Sequence, residues 1–469
     1  MRFLLATSTQ KQLVKVWVCQ ETSPAGSLLP PVDLASVAAM IRQKGHQARI
    51  ADLRLAREPL HAYAHELDRL RPDAVIINLS TTGAQQDYAL LAATPPGVKR
   101  ICFGTHAQAL PAEVFRRGFD FILLGDPEAA LSSLIDHRLN GDAADGVLTP
   151  AGTDKQPRLA ADLDALPRPA LDLLDLDEYR SSIIRRGKRF TLLLGSRGCP
   201  HNCTYCLYPV LFGRKTRLRS AKSIVDEMEE DHREHGIGAF YFLDATFNIK
   251  NGRVEEIAEE IIARRLRVDW SCNMRVTPVS RATLALMKKA GCDWIFYGVE
   301  DQDCLAETRK NISRQATIEA FHLTKQAGIS TVAFLMIFPR PDLDEKTYAA
   351  RMLAVLRTLK ADAFQCNIAI PFPGTEMWRE QSAAGRLDMC WSCYDPHGDI
   401  LPYDCAPDLI AVKRRIYRGF LLSHPMRTLK VARRMGLSAL AATAGTFIRG
   451  NLLPSPRRSS RGPIRSTPT

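Results

Sequence analysis

From Phe190 onward the hydrophobic pattern switches between strand and helix six times, and that count constrains the fold more than any other property of this 469-residue chain. Apolar runs at Phe190–Leu194, Ala239–Leu243, Val268–Asn273, Trp294–Gly298, Thr331–Ile337 and Ala363–Ile370 alternate with helical stretches at Ala221–Glu234, Val254–Arg265, Arg281–Ala290, Gln315–Ala327 and Asp344–Leu359. Alternation of this kind reads as a parallel sheet covered by helices. Eight such units close a barrel; six leave it open. Chemistry in these folds collects where the strands end, and here those ends carry Asp244, Asn273, Arg275 and Glu300. Each acid there has a plainer alternative as a helix cap or an ion pair.

Directly after the first of these strands comes Gly198-Cys199-Pro200-His201-Asn202-Cys203-Thr204-Tyr205-Cys206. Three thiols spaced C-x3-C-x2-C surround a common centre and leave a fourth position open, which suits an iron–sulfur cluster with one iron not held by protein. A structural zinc site is the competing reading, and it needs a fourth protein ligand. His201 is the candidate, but it lies inside the same tight loop.

This loop resembles the signature of the radical SAM enzymes, and Cys199, Cys203 and Cys206 match it residue for residue. The resemblance implies a partial (β/α)6 barrel, a [4Fe-4S] cluster, and S-adenosylmethionine chelated at the open iron and split to a 5′-deoxyadenosyl radical. It places Tyr205 against the adenine. Asp244 in Phe242-Leu243-Asp244-Ala245-Thr246-Phe247 is similar to the family's F-x-D-D-x-F with one acid missing. Glu300 stands where relatives contact adenosylmethionine, although the usual E-S-G continues here as Glu300-Asp301-Gln302. Asn273 and Arg275 complete the implied adenosylmethionine set.

Residues 1–150 show a second alternating pattern, with strands expected at Phe3–Ala6, Ala48–Ala51, Ala74–Leu79, Arg100–Phe103 and Phe121–Leu124, and a helix Leu34–Lys44 stopped by Gly45. This predicts a doubly wound, Rossmann-like sheet whose ligand edge lies at the carboxyl ends of its strands. No G-x-G-x-x-G turn favours a dinucleotide. The order of features instead resembles the cobalamin-binding domain that precedes the radical SAM domain in one subgroup. The matching pieces are Lys44-Gly45-His46, Ser80-Thr81-Thr82-Gly83, Gly104-Thr105-His106-Ala107 and Gly125-Asp126-Pro127-Glu128. On that resemblance Ser80, Thr81, Thr82, Gly104, Thr105, His106, Gly125 and Asp126 are the expected cobalamin contacts. The chain has no D-x-H-x-x-G, so His106 is not offered as a lower cobalt ligand. A fold of this type without the cofactor is the alternative.

The expected organisation is therefore an α/β cobalamin-type domain (1–150), a linker (151–185), the partial barrel (186–380), a helical extension (381–452) and a basic, disordered tail (453–469). After the last strand, Pro371-Phe372-Pro373-Gly374-Thr375-Glu376 resembles the P-x-P-G-T turn that closes the barrel in the same subgroup. Cys390, Cys393 and Cys405 form a second thiol group with no evident fourth ligand, and spare intracellular thiols are the simpler reading.

Charge is distributed unevenly. Thirteen of the 63 Lys and Arg lie in 413–469 with no acid among them, which leaves 50 basic against 51 acidic residues in the rest. Such a block suits an anionic membrane surface, or a solvated tail. The run Leu437 to Ile448 is too short to span a bilayer. Twelve cysteines, and a start that builds no export signal, predict a cytoplasmic protein, at most peripheral at the inner membrane face.

The resemblance implies methyl transfer through cobalamin to an unactivated carbon or phosphorus of a small molecule or lipid precursor, with an electron donor such as flavodoxin or ferredoxin. Two rivals remain. One is radical SAM cyclisation, rearrangement or methylthiolation. The other is a non-catalytic iron–sulfur or cobalamin sensor whose basic tail binds nucleic acid, a partner class the reading does not favour.

Overall fold

The structure is a computed structural model, and it describes residues 1–423 apart from 11–12, 18, 23–26, 153, 182–183 and 185–187. Its first sheet contains β1 (Arg2–Ala6), β4 (Gln47–Ala51), β5 (Ala74–Asn78), β6 (Lys99–Phe103), β7 (Phe121–Leu123) and β8 (Val147–Leu148), ordered β4-β1-β5-β6-β7-β8. All pairs are parallel except β7 with β8. Every residue of β5 is buried because helices cover both faces of the sheet, which explains the continuous apolar run Ala-Val-Ile-Ile. The strand order reverses between β1 and β5, so the loops after these two strands flank the crevice where such sheets take ligands.

The sequence reading missed a hairpin after β1, made of β2 (Leu13–Val16) and β3 (Cys19–Thr22). Four-residue strands leave too short a pattern to register. The short antiparallel pair β10 (Ser196–Arg197) and β11 (Arg217–Leu218) escaped for the same reason.

The second sheet holds β9 (Arg189–Leu193), β12 (Ile237–Phe242), β13 (Asp269–Met274), β14 (Cys292–Gly298), β15 (Ser330–Ile337) and β16 (Ala363–Ile368). Its order, β16-β15-β14-β13-β12-β9, is parallel throughout and forms the expected open half-barrel. The surrounding helices start at side-chain caps: Ser220, Ser280, Ser313, Asp344 and Thr375 each accept a bond from the backbone N–H three residues on. Trp270 fills the layer beneath β12 and β13, packs its ring against Phe242 and Phe247, and donates its indole N–H to the Ala290 carbonyl at 2.8 Å.

Residues 151–185 lace the two sheets together. The Arg158 carbonyl accepts the Asp126 N–H at 2.9 Å, Asp164 accepts the Ser220 N–H at 3.0 Å, and Tyr179 donates to Asp52 at 3.0 Å. Over its described residues, up to Ser423, the expected helical extension is only partly helical. Helices Glu376–Ala383 and Leu409–Ser423 are separated by irregular chain containing a single 3-10 turn at Trp391–Cys393. Proline, glycine and aspartate in that stretch break the helical period.

The helix Leu409–Ser423 also corrects the charge reading. Lys413 is 1% exposed and Arg414 bonds Asp399 at 2.7 Å, so the first two cations of the basic run belong to the interior. The remaining expectations for that run lie outside the described residues, including the run Leu437 to Ile448, the stretch 453–469 and the expected membrane contact. Among the described residues no helix is long and apolar enough to cross a membrane.

Truncation of the largest fully buried side chain tests this core. Trp270→Ala is expected to cost about 3–5 kcal/mol, read as a lowered denaturant midpoint by tryptophan-independent circular dichroism.

Candidate active site

The loop that follows β9 is held on several sides before any ligand is considered. Gly195 N–H and Ser196 Oγ donate to the two oxygens of Asp244 at 2.8 and 2.6 Å, and Arg253 adds a contact at 3.2 Å. Gly198 has φ +83°, and a Cβ there would lie 2.2 Å from the Lys215 carbonyl oxygen, so only glycine lets the chain turn into the cysteine loop. Cys199 N–H bonds the Gly213 carbonyl at 3.2 Å. Thr204 is pinned through its N–H to Thr308 (3.2 Å) and through its carbonyl to the Met377 N–H (3.0 Å).

Cys199, Cys203 and Cys206 line one cavity of about 440 Å³ at the mouth of the half-barrel. Tyr205, Asp244, Asn273, Arg275 and Glu300 line it too, so the structure brings the whole thiol and adenosylmethionine set of the sequence reading to one place. Val14, Cys19 and Leu29 from the first domain form part of the wall. Among the described residues, no three His, Cys, Asp or Glu side chains converge closely enough for a single metal ion. A four-iron cube spreads its thiolates farther apart than one zinc ion does. His201 stands half-buried beside Arg275 and Lys310; burial and those two cations disfavour its charged form.

The cavity's charges are organised. Asp244 is fully buried with both oxygens engaged, so it braces the loop rather than presenting a free carboxylate. Asn273 accepts from Tyr241 at 2.8 Å, and Arg275 donates to the carbonyls of Lys310 and Asn311. Glu300 adopts a left-handed backbone (φ 58°) and bonds Lys310 Nζ at 2.7 Å. A Cβ on Gly298 would sit 2.5 Å from that Nζ, so the glycine makes room for the pair. Desolvation works against the Lys310 charge, but Glu300 and then Cys203 outweigh it and hold its pKa above the ordinary value. The Tyr205 hydroxyl is buried near Glu300 without a well-formed hydrogen bond; burial, then that carboxylate, raises its pKa. Lys310 sits in an irregular loop with no motif around it, which is why the sequence reading did not find it.

The thiols, the unspent Tyr205 hydroxyl and the Glu300–Lys310 pair fit a cluster with bound adenosylmethionine. Three thiolates hold the cube, a cation–carboxylate pair matches the charges of an amino acid, and an aromatic ring offers an adenine surface.

The eight residues expected to contact cobalamin are placed differently. None of them lines this cavity. Thr82 donates to the Tyr394 carbonyl, at 2.6 Å. His106 has Nδ1 3.2 Å from Thr81 Oγ1, Nε2 3.1 Å from Tyr88 Oη, and its ring edge against Trp391 at 4.9 Å. The segment Trp391–Tyr394 thus covers the carboxyl edge of the first sheet. Beneath it, Ser80 Oγ, Asn78 Oδ1, Gln10 Oε1 and Gln108 Nε2 are buried without a partner. Four such atoms at one sheet edge fit a polar ligand arm, since buried polar groups otherwise find partners.

Asp126 and its neighbour Glu128 also form a buried ion-pair network. Arg197, two residues before Cys199, is 5% exposed and bonds Glu128 through both terminal nitrogens (2.9 and 2.7 Å) and Asp126 at 3.1 Å. Arg217 also pairs with Asp126, on the same Oδ2 that accepts the Ala160 N–H at 2.7 Å. The Arg197 guanidinium lies over Trp17 at 4.8 Å and Phe212 at 5.4 Å. The turn read as a cofactor contact therefore clasps the root of the cysteine loop, joining the first domain to the barrel.

Arg197→Met leaves buried Glu128 without its counter-ion, while Asp126 keeps Arg217, and is expected to cost about 3–5 kcal/mol. Arg197→Lys keeps the charge and recovers part of the loss. Denaturant midpoints of the two variants check this.

Comparison with known proteins agrees with this geometry. Residues 193–352 match the model of the Radical SAM superfamily. An uncharacterised methyltransferase of Pyrococcus horikoshii is 27% identical over 416 residues, covering 85% of this chain and 89% of the relative. The hopanoid C-3 methylase of Methylococcus capsulatus is 29% identical over 369 residues, covering 76% and 69%. Among solved structures, the radical S-adenosylmethionine methyltransferase TsrM from Kitasatospora setae, with tryptophan substrate and a SAM analog bound, superposes with a TM-score of 0.67 at 18% identity, covering 89% of each chain. The cobalamin-dependent S-adenosylmethionine radical enzyme OxsB gives 0.65 at 15% identity, covering 90% and 67%. The two solved structures share the fold: a Rossmann-like sheet ahead of a TIM-like half-barrel. Over residues 193–352 the chain is similar to the radical SAM domain, and that similarity implies a [4Fe-4S] cluster and S-adenosylmethionine.

Proposed function

We propose that this protein is a cobalamin-dependent radical SAM methyltransferase acting on an unactivated carbon or phosphorus centre. The observation that carries the reading is the single cavity shared by Cys199, Cys203, Cys206, Tyr205 and Glu300 on the barrel side and by the first domain on the other. The names of the Pyrococcus and Methylococcus relatives support methyl transfer. Cys199, Cys203 and Cys206 would hold the cluster, and Ser80 with its unpartnered neighbours the polar arm of cobalamin.

When bound, the cluster supplies the electron that cleaves adenosylmethionine and cobalamin supplies the methyl group, with a flavodoxin or ferredoxin as external reductant. The protein's own part is positional. Tyr205 offers its ring to the adenine, and Glu300 and Lys310 fix the amino-acid end of adenosylmethionine. Asp244 and Arg253 keep the loop rigid. Arg197 sets how far the thiols stand from the first domain, and the hairpin β2–β3 shields the site from water.

A second reading is rearrangement or cyclisation, favoured by the anaerobic magnesium-protoporphyrin IX monomethyl ester cyclase of Cereibacter sphaeroides, 27% identical over 341 residues. Anaerobic reconstitution with iron, sulfide and hydroxocobalamin separates the two. 5′-Deoxyadenosine together with S-adenosylhomocysteine is the expected outcome; deoxyadenosine alone favours the cyclase-like reading. Neither product from iron-loaded protein supplied with extracted cell metabolites contradicts both.

Lys310→Met leaves Glu300 buried without its cation. Adenosylmethionine binding is expected to weaken by about 2 kcal/mol, roughly thirtyfold, with iron content unchanged and partial recovery in Lys310→Arg. Equilibrium dialysis against labelled adenosylmethionine measures it.

A further inference from the structure

The cavity has two unlike halves. On the thiol side stand its charges, each matched: Glu300 by Lys310, Asp244 by Arg253, and Arg275 by two carbonyls. The cavity's lining along β12, β14, β15 and β16 is apolar and aromatic, and adjoins the charged set where the Phe334 carbonyl accepts the Glu300 N–H at 3.0 Å. Tyr241, Phe296 and Phe334 stack in sequence across three strands, with ring centroids 5.1 and 5.2 Å apart. Ile368 and Phe372 extend this wall, and Val14 and Leu29 face it from the first domain.

Polarity on this side comes from two amides on β16. Gln365 Nε2 lies 3.1 Å from Asn367 Oδ1 and 3.3 Å from His397 Nε2. Amides can donate to and accept from a hydroxyl or carbonyl, and they offer no countercharge. Lys310, beside Phe334, is already paired with Glu300, so a charged ligand lodged against Phe296 and Phe334 would lose its hydration without a free counter-ion, whereas an apolar one gains from burial.

We propose that the substrate is an uncharged, largely apolar molecule bearing a hydroxyl or carbonyl, seated on the Tyr241–Phe296–Phe334 wall with its polar group at Gln365 and Asn367. The inference rests on the radical SAM reading of the site, but it does not require the reaction to be methyl transfer. Phe334 and Gln365 act here as specificity residues: they sort ligands by charge.

Binding is measured separately from turnover by equilibrium dialysis of the cluster-reconstituted protein. The probes are N-phenyl-1-naphthylamine, which is neutral, and 1-anilinonaphthalene-8-sulfonate, which has the same aromatic body with an anionic group. Saturable binding of the neutral probe is expected, about tenfold tighter than the sulfonate. Phe334→Glu should reduce neutral-probe binding by about tenfold with cluster absorbance retained. If that variant does not fold, Gln365→Glu, nearly isosteric, should reduce it in the same direction. Equal or tighter binding of the sulfonate, or neutral-probe binding that ignores the substitution in folded protein, overturns the proposal.

A second arm incubates the enzyme with trideuteromethyl adenosylmethionine and a total cell extract, then partitions the products between chloroform and water. Label in the chloroform phase supports the proposal, and label confined to water overturns it. If no label is transferred while the probes behave as expected, the substrate class stands and the methyl-transfer reading fails.

Discussion

The structure depends on one buried clasp. Arg197 ends the short strand that leads into the cysteine loop, and its guanidinium is gripped by Asp126 and Glu128 from the first domain while resting on Trp17 and Phe212. A cation so placed has lost its water, and only paired carboxylates and aromatic faces make that tolerable. The energetic return over a well-packed apolar contact is small. What the arrangement gives is register: a bidentate pair between two domains fixes both distance and angle, and the thiols begin two residues further on.

Much of this was legible in the sequence, and what was not had physical reasons. Strand Ala74–Asn78 announces itself because both faces are buried, and Ser330–Ile337 because it is apolar without a break from Val332. The cysteine loop was legible because its spacing leaves few other chemistries. The ion pairs of the Gly125–Glu128 turn show the limit: they were not legible, because the partners Arg197 and Arg217 lie about 70 and 90 residues away. Lys310 was invisible for the same reason, since only the fold brings it to Glu300. The helical reading of the extension failed over residues 384–408, where backbone and side-chain bonds to distant segments replace local periodicity. Tyr403 donating to the Ala369 carbonyl at 2.6 Å is an example.

The C-terminal segment proves to be part of the architecture rather than an appendage. Trp391 donates its indole N–H to Glu113 at 2.8 Å and packs on His106, while the Tyr394 carbonyl takes the Thr82 hydroxyl. The same few residues close the edge of the first sheet and, through Pro396 and His397, reach β16. The barrel cavity beyond is lined both by the Glu300–Lys310 pair and by the rings of Tyr241, Phe296 and Phe334.

All of this presumes that three sulfurs grip a cube with one corner left for another ligand. Mössbauer spectroscopy of 57Fe-reconstituted protein, with and without adenosylmethionine, addresses that claim most directly. The account requires about four irons per chain, one of which changes its spectrum when adenosylmethionine is added, and loss of all of them when Cys199, Cys203 and Cys206 are replaced together by alanine. A single tightly bound ion, or four irons indifferent to adenosylmethionine, would contradict it.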